Sequence, residues 1–444
     1  MRPDRLSQRR VLLGLLLLAV GLPAPAAGGS AFSQLLDVLR ANGTIGDDAY
    51  LALREAAEAD ALQAHVGAGR ARGSEVRTRK GRVEIRSPDE EFEFHFGGRL
   101  VVDGAWYRDD RADLGDGLEV RAARLKAEGT VWRDWDFEVD VDFADDEVDL
   151  KDVYLEYGGL ERLSVRAGYF KEPFSLEELT SALRLTFMER GLPNVLAPGR
   201  NLGLGLASSG RRWSLAAGAF GQGIDEPDDG DQSWGVTSRG TFVPLRTNDA
   251  LVHLGVSFSY RGLEDEDSLR FRSRPESHKA GVRLIDTGTI GGVDDLLRYG
   301  LEAAAVLGPV SLQGELIGAR LDRSGASPLN FRGWYAYLSW FLTGESRPYK
   351  SSSGTFGRIK PRGPLRDGGP GAVEVALRFS GADLTAHDVI GGEQEDVTAG
   401  LNWYVARNLR FMANWVKVLE VDRPGSATDG DEPSLFQLRA QLDF

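Results

Sequence analysis

The chain has 444 residues, a formal net charge of −14 at pH 7, 55 glycines and no cysteine. The acidic balance argues against nucleic acid as a partner, which requires a basic footprint. The lack of cysteine excludes disulfides, thiolate metal sites and cysteine nucleophiles. Glycines together with 20 Phe, 11 Tyr and 9 Trp in short runs favour many strands over helices.

Residues 1–26 have the pattern of a secretory signal peptide. Arg9 and Arg10 precede an apolar run over residues 11–20, and small residues at 24–26 offer a cleavage site. The apolar run is too short to remain as a membrane-spanning helix. The sequence therefore predicts an exported protein whose leader is cleaved.

Residues 27–80 are predicted to form a short helical periplasmic extension followed by a linker. Ser30 can cap a first helix that ends near Asn42, and a second helix begins at Asp47. Gly, Arg and Ser residues over 66–80 indicate the linker. A small extension, a trimer-supporting coil and a partner-binding segment are all compatible with this pattern.

Residues 81–444 alternate apolar and polar side chains in about sixteen short runs, which predicts an all-β fold. Tight turns connect the runs at one end, and long polar connections do so at the other. This is the pattern of a transmembrane antiparallel β-barrel. One connection, residues 343–371, is long where a short turn is expected.

The last run places the sequence in a membrane. Phe436, Leu438 and Leu442 point one way, whereas Gln437 and Arg439 point the other. An apolar face toward lipid and a polar face toward water explain this alternation, and the chain ends on an aromatic residue, as bacterial outer-membrane proteins do. With the export signal, this predicts the outer membrane of a Gram-negative bacterium.

The longest excursion that interrupts this pattern covers residues 171–200, between alternating runs at 162–170 and 201–209. A loop of this length in a hairpin-rich chain is usually functional. We interpret it as a loop that folds inward and narrows the pore. Its constriction residues are Lys171, Pro173, Phe174 and Arg200.

Several segments together resemble the phosphate-selective porin O and P family, over nearly all of the mature chain. They are residues 96–100, 120–125, 169–178, 187–190 and 270–278. The resemblance implies a sixteen-stranded, homotrimeric barrel with its third extracellular loop in the pore. It also implies passage of phosphate, polyphosphate or related small anions, with membrane lipid and lipopolysaccharide as surroundings.

Passing an anion requires positive groups along a water-filled path, and the arginine fork suits phosphate oxygens. Arg121 can share a face with Arg124 only if the strand is bulged or Arg121 lies at its rim. Residues 270, 272 and 274 match a family ladder of arginines at the pore entrance, or form a solvated cluster that binds lipopolysaccharide. The predicted anion pathway comprises Arg99, Arg121, Arg124, Lys126, Arg166, Arg184, Arg190, Arg270, Arg272 and Arg274.

Some positions depart from the phosphate-specific pattern of the family. Ala122 stands where a second arginine is expected, and residues 181–183 lack a lysine. Asp140 and Asp142 on the predicted lumen face lower the local potential. A broader anion or small-solute channel is therefore as well supported as phosphate specificity.

The sequence points to no enzyme, cofactor or metal site. The five histidines are scattered without metal-ligand spacing. Acidic pairs such as residues 145–146 and 228–229 fit solvated loop tips, where divalent cations could bridge lipid phosphates. The alternative to a porin is another outer-membrane barrel, either a structural or adhesion protein or a barrel enzyme.

Overall fold

The computed structural model describes residues 37–42, 46–47, 50–51, 53–55, 74–79, 82–144, 148–224, 233–263 and 268–444. The predicted signal peptide and the acidic pairs at 145–146 and 228–229 lie outside these ranges. Residues 37–41, 47, 50–51 and 53–55 are helical, where the two helices are expected. Among the described residues no helix has the length and apolar character needed to cross a membrane.

The compact unit Ser74–Phe444 is built mainly of strands. Its strands are β1 Glu75–Arg79, β2 Arg82–Arg86, β3 Phe92–Arg108, β4 Gly117–Val131, β5 Trp135–Asp142, β6 Asp149–Leu160, β7 Leu163–Lys171, β8 Arg200–Ser209, β9 Trp213–Phe220, β10 Trp234–Arg246, β11 Ala250–Gly262, β12 Arg272–Ser273, β13 Ile285–Asp286, β14 Val293–Leu307, β15 Val310–Arg323, β16 Leu329–Phe341, β17 Tyr349–Lys350, β18 Thr355–Phe356, β19 Ala372–Ala386, β20 Val389–Tyr404, β21 Leu409–Asp422 and β22 Ser434–Asp443.

Sixteen of these strands form a closed antiparallel barrel. Neighbours in the chain pair through β3–β11, β14–β16 and β19–β22, with β11 against β14 and β16 against β19. The barrel closes where β22 pairs with β3, from Ser434 opposite Arg108 to Asp443 opposite Arg99. The predicted fold class and strand number are confirmed.

Side-chain alternation gives the wall its two faces, as β22 illustrates. Gln437, Arg439 and Gln441 point into the barrel and are 2–5% exposed. Phe436 and Leu438 point outward and are 43% and 42% exposed. An apolar outer belt with a polar lumen is the arrangement of a barrel that crosses lipid.

A short hairpin, β1–β2, precedes the barrel. Its first strand, Glu75–Arg79, lies in the region predicted as linker, so the linker is shorter than the sequence suggests. β2 continues the edge of β3 where β22 has ended, pairing Val83 with Phe96. Gly98 and Phe444 exchange two backbone hydrogen bonds at this junction, of 2.9 and 3.0 Å.

Several strands extend further than the alternation indicated. The polar stretch over residues 261–297 indicates one long connection, but β11 continues to Gly262 and β14 begins at Val293. Likewise, β19 and β20 form a hairpin whose last register pair is Ala386 and Val389. Polar side chains on the outward face of these ends, such as Glu393, obscure the apolar pattern.

Three connections fold into the lumen. We call residues 172–199 the constriction loop, 268–292 the upper loop and 342–371 the periplasmic segment, because short turns mark the periplasmic end of such barrels. The upper loop places Glu276 against Ser380 on the lumen face of β19. The periplasmic segment packs Phe356 among Leu176 of the constriction loop and residues of β10, β11 and β14. The sequence predicted an inward position for the constriction loop alone.

Candidate functional site: a basic cavity in the barrel

Arginines on one side of the wall hold the constriction loop through its backbone. Arg378 donates to the Glu189 carbonyl at 3.0 Å, and Arg410 donates to the Leu185 carbonyl at 2.7 Å. Arg439 donates to the Met188 carbonyl. Because β19, β21 and β22 carry these arginines, the loop lies against that wall and leaves space along the neighbouring strands β3–β7.

The start of the constriction loop is anchored by packing. Phe174 is fully buried in a cluster with residues of β14, β15 and the upper loop. Gly300 leaves room for it, since a Cβ there would lie 3.2 Å from the Phe174 ring. The backbone N–H groups of Leu176 and Glu177 donate to the Glu315 carboxylate at 2.9 and 2.7 Å. Phe174 thus sets the position of the loop without touching the open space.

Between the constriction loop and the β3–β7 wall lies a cavity of about 650 Å³. Twelve basic side chains and six acidic ones line it. The basic ones are Arg82, Arg99, Arg121, Arg124, Lys126, Arg166, Lys171, Arg184, Arg190, Arg200, Lys350 and Arg439, and the acidic ones are Glu128, Glu138, Asp140, Asp152, Glu178 and Glu189.

Most of the predicted pathway residues meet in this cavity. They are Arg99, Arg121, Arg124, Lys126, Arg166, Arg184 and Arg190, together with Lys171 and Arg200 of the predicted constriction. Pro173 lines a neighbouring cavity instead.

Arg121 reaches the lumen through a β-bulge in β4. Val101 of β3 pairs with Ala122 and Val102 pairs with Val120, so Arg121 is the extra residue. Its guanidinium makes two hydrogen bonds to Glu189 of the constriction loop, at 3.0 and 3.2 Å. Of the two alternatives that the sequence left open, a bulge or a position of Arg121 at the rim, the structure has the bulge, and it lets Arg121, Ala122 and Arg124 all face the cavity.

Each acidic side chain of the cavity contacts a basic one. The predicted lumen position of Asp140 is correct, and its carboxylate lies 3.0 Å from Arg99. The pKa of Glu189 illustrates the balance: burial alone would raise it, but Arg121 and Arg439 outweigh burial and hold it below its usual range. The remaining pairs are Glu128 with Lys126, Glu138 with Lys126, Asp152 with Arg200, and Glu178 with Lys171.

Two cations of the cavity, Arg184 and Lys350, make no ion pair among the residues that the structure describes. Arg184 belongs to the constriction loop, and its buried Nε lacks a hydrogen-bond partner. Burial lowers the pKa of Lys350, and the nearby charges of Arg184 and Lys126 lower it further. The pKa of Arg184 is lowered in the same way, first by burial and then by the charge of Arg358. Like charges therefore lie close together here without an ion-pair partner, and the carboxylates of Glu128 and Asp443 offset them only in part.

The predicted ladder lies in the upper loop, outside this cavity. Arg270 binds Asp286 at 2.8 Å, and Arg274 donates to the Ala280 carbonyl at 2.8 Å. Arg272 is exposed. Burial lowers the pKa of Arg283, and the charges of Arg274 and Arg272 lower it further, so a fourth arginine belongs to the group.

Sequence reasoning missed three basic residues of the cavity. Arg439 lies on the polar face of the last strand, so the alternation already recognised there could have identified it. Arg82 belongs to β2 and Lys350 to the periplasmic segment. Neither lies in a run that was recognised as lumen-facing, and only their three-dimensional placement brings them to the cavity.

A family model for "Phosphate-selective porin O and P" matches residues 94–444. The chain belongs to this family. It is 28% identical to Porin O of Pseudomonas aeruginosa over 408 residues, covering 82% of this chain and 91% of that protein.

Solved structures show the same fold. An anion-selective porin from Comamonas acidovorans has a TM-score of 0.52 and 14% identity, covering 80% of this porin and all of that chain. OmpT of Vibrio cholerae, in a trimer form, has a TM-score of 0.50 and 11% identity, covering 80% and 99%. Family and fold identify an outer-membrane porin and indicate a channel.

Proposed function

We propose that this porin passes small anions by diffusion through the basic cavity, with a preference over cations but without a tight phosphate site. The observation that carries the proposal is the pair Arg184 and Lys350, which has no ion-pair partner in the described part of the chain and which two different inward segments bring to one cavity. A mobile anion relieves the repulsion between fixed cations, and it leaves again because water and neighbouring carboxylates compete for them.

The charge of the cavity lining is consistent with a preference for anions over cations. Basic side chains outnumber acidic ones twelve to six in the lining, although the chain as a whole carries a charge of −14. Narrow walls of low dielectric constant concentrate the field of the lining residues. The predicted anion-pathway residues in the cavity would supply this field, and Arg270, Arg272 and Arg274 would gather anions above it.

Two features support modest affinity for phosphate. Ala122 lines the cavity at the position where the family pattern implies a further arginine. In addition, Arg99, Arg121 and Arg200 are already engaged by carboxylates. Phosphate would therefore meet cations whose hydrogen-bonding groups are partly occupied, and phosphate or polyphosphate would pass as anions among others.

The assembly and surroundings proposed for the porin follow its relatives. We expect a homotrimer in the outer membrane, in contact with lipid and lipopolysaccharide, after removal of a leader over residues 1–26. A trimer form is known for the fold neighbour OmpT of Vibrio cholerae. Chemical cross-linking of the detergent-extracted porin, read on a gel, tests the trimer.

Planar-bilayer recording tests the channel function. Under a KCl gradient, the reversal potential should be set mainly by chloride, and added phosphate should block chloride current weakly. Block at submillimolar phosphate, an order-of-magnitude threshold for a specific site, would contradict the absence of a tight site. A reversal potential set by potassium would contradict the anion preference.

A further inference from the structure

A second cavity, of about 540 Å³, lies beside the basic one on the lumen side of β6–β10. Arg166, Lys171, Leu179 and Ser353 line both, so the two spaces adjoin. The volume falls within the usual range for small-molecule sites. Anion passage through the basic cavity does not by itself require this second cavity.

The second cavity extends as far as the barrel wall because the inward positions of β8 and β9 carry small residues. These positions are Gly205, Ala207 and Ser209 on β8, and Ser214 and Ala216 on β9. At Gly205 an added Cβ would lie 3.1 Å from the ring of Phe170, so a side chain there requires the ring to move.

Apolar groups complete the lining. Phe170, Pro173 and Leu179 face this space, and the exposed lining is more apolar than polar, the reverse of the basic cavity. An inorganic anion gains nothing from such a wall, whereas an apolar body that leaves water there is stabilised in proportion to its buried area.

Positive charge lies at the edge where the two cavities adjoin. The Arg166 guanidinium lies 3.9 Å from the ring centroid of Tyr154 and 5.3 Å from that of Phe170. Glu156 accepts a hydrogen bond from Arg166. Lys171, which lines the same edge, forms an ion pair with Glu178. An aromatic surface and two cations therefore meet at one corner.

We propose that this corner selects small organic anions with an apolar body. The carboxylate or phosphate group lies toward Arg166 and Lys171, and the ring or hydrocarbon lies over Phe170 and the recess at Ala207 and Ala216. This rests on the proposed anion channel and names a substrate class for it.

Benzoate and acetate form the matched probe pair, since they share a carboxylate and differ in the apolar ring. Each is titrated as a blocker of chloride current through the full-length porin in planar bilayers. We expect half-block by benzoate at a concentration at least about fivefold below that for acetate.

Cavity-filling variants locate the effect. Ala207→Trp or Ala216→Phe should bring the benzoate and acetate curves together while chloride current persists. Ala219→Phe, on the outward face of the same strand as Ala216, should leave both curves as in the wild type. Heat-modifiable gel migration identifies the variants that fold. Two cavity-filling variants are used, so that the test can still be made if one of them does not fold.

The outcomes separate the two proposals. Equal block by benzoate and acetate in an anion-selective wild-type channel would overturn the organic-anion inference alone. A preference for benzoate that survives both fillings would overturn the location. A channel that selects cations would overturn the proposed function on which the inference rests.

Discussion

Lys350 has no ion-pair partner among the described residues, so the proposed anion preference can be tested at this single position. Removal of this charge by Lys350→Met should reduce the permeability ratio of chloride to potassium by about twofold or more, since the field of the cavity loses a positive charge that no ion pair neutralises. Lys350→Arg should retain the ratio. Reversal potentials under a KCl gradient give the measurement, and Arg332→Met, an exposed arginine on the outer face of β16, is the control. An unchanged ratio in Lys350→Met would contradict the assignment.

Because the pKa of Lys350 is lowered, the anion selectivity of the channel should fall as the pH rises. Because burial and neighbouring cations move the pKa below 10.5, the ammonium loses its proton at lower pH than a free lysine. The Lys350→Arg variant should therefore keep more anion selectivity than the wild type as the pH rises from neutral toward 10.5. Parallel loss of selectivity in both proteins would assign the dependence to other groups.

Ala122 offers the opposite experiment, a gain of charge. Its side chain is buried against the cavity beside Arg121, so Ala122→Arg adds a cation where the family pattern implies one. We expect phosphate to block chloride current at a concentration about tenfold lower than in the wild type. Ala122→Gln, which adds length without charge, is the control, and equal block in both variants would contradict an electrostatic cause.

Much of the candidate site could be predicted at the level of residues. Alternation and the family pattern together identified Arg99, Arg124 and Lys126, and alternation left a bulge at Arg121 as one of two alternatives. Hydrogen-bond partners could not be predicted, because Glu189 and Arg121 lie 68 positions apart and meet only when the constriction loop folds inward. The position of Lys350 in the cavity, without an ion-pair partner among the described residues, depends on the same long-range folding.

At the scale of elements, Arg378 is the point at which two inward loops meet one wall. It is fully buried and binds Glu276 of the upper loop, together with Glu177 and the Glu189 carbonyl of the constriction loop. Arg378→Met would leave these carboxylates buried without their partner, which costs about 3–5 kcal/mol. We expect a lower unfolding temperature together with a larger and noisier single-channel conductance.

The matched control for Arg378 is Arg320→Met, an exposed arginine on β15 that pairs with Asp322. It should change neither conductance nor unfolding temperature measurably, since exposed ion pairs contribute little. A conductance in Arg378→Met equal to that of the wild type would show that other contacts suffice to hold the loops.

The constriction loop should also weaken in acid. Burial alone would raise the pKa of Glu178, but Arg190 and Lys171 outweigh burial and lower it to about 2. The stabilisation is therefore complete above the usual carboxylate pKa of about 4.5 and is lost as the pH falls toward 2, amounting to about 3 kcal/mol. Comparing the unfolding temperature of Glu178→Gln with that of the wild type should give a large difference at pH 7 that shrinks below pH 4.5. A difference in unfolding temperature that does not depend on pH would show that the Glu178 charge is not the source of the stabilisation.

The sequence could predict some inward elements and not others, for a physical reason. The length of residues 171–200 within a hairpin pattern indicated the constriction loop. The periplasmic segment gave a similar signal of length, but its direction depends on partners such as His253 and Gln313, which lie on strands distant in the chain. A local pattern does not contain those contacts.

For the whole molecule, stability depends on the seam where the last strand meets the first barrel strand. At Gly97 a Cβ would lie 2.4 Å from the Phe444 carbonyl oxygen, so even alanine there requires the seam to shift. Gly97→Ala should reduce the heat-resistant folded fraction on gels. Gly240→Ala, whose nearest neighbour is the end of the Leu215 side chain at 3.2 Å, should be tolerated. Equal folded fractions in the two variants would show that the seam adjusts freely.

The barrel as a whole was the part best predicted from sequence. A period of two, repeated over sixteen strands, specifies both the closed wall and the face that meets lipid. Strand ends were less predictable, because outward polar residues near the membrane surface, such as Glu393 and Glu395 on β20, break the apolar alternation while the backbone pairing continues.

Two neighbouring parts of the wall differ in what their basic side chains contact. Arginines of β19, β21 and β22 donate to carbonyl groups of the constriction loop, whereas the basic residues of β3, β4 and β7 face the space through which a solute moves. Arg121 and Arg439 do both, since each binds Glu189 of the loop and lines the cavity. Replacement of Lys126, whose ion pairs are with carboxylates of the wall, should therefore alter ionic preference while the aperture stays the same, whereas replacement of Arg121 or Arg439 alters both. Related porins can diverge in cargo in this way while keeping a common scaffold.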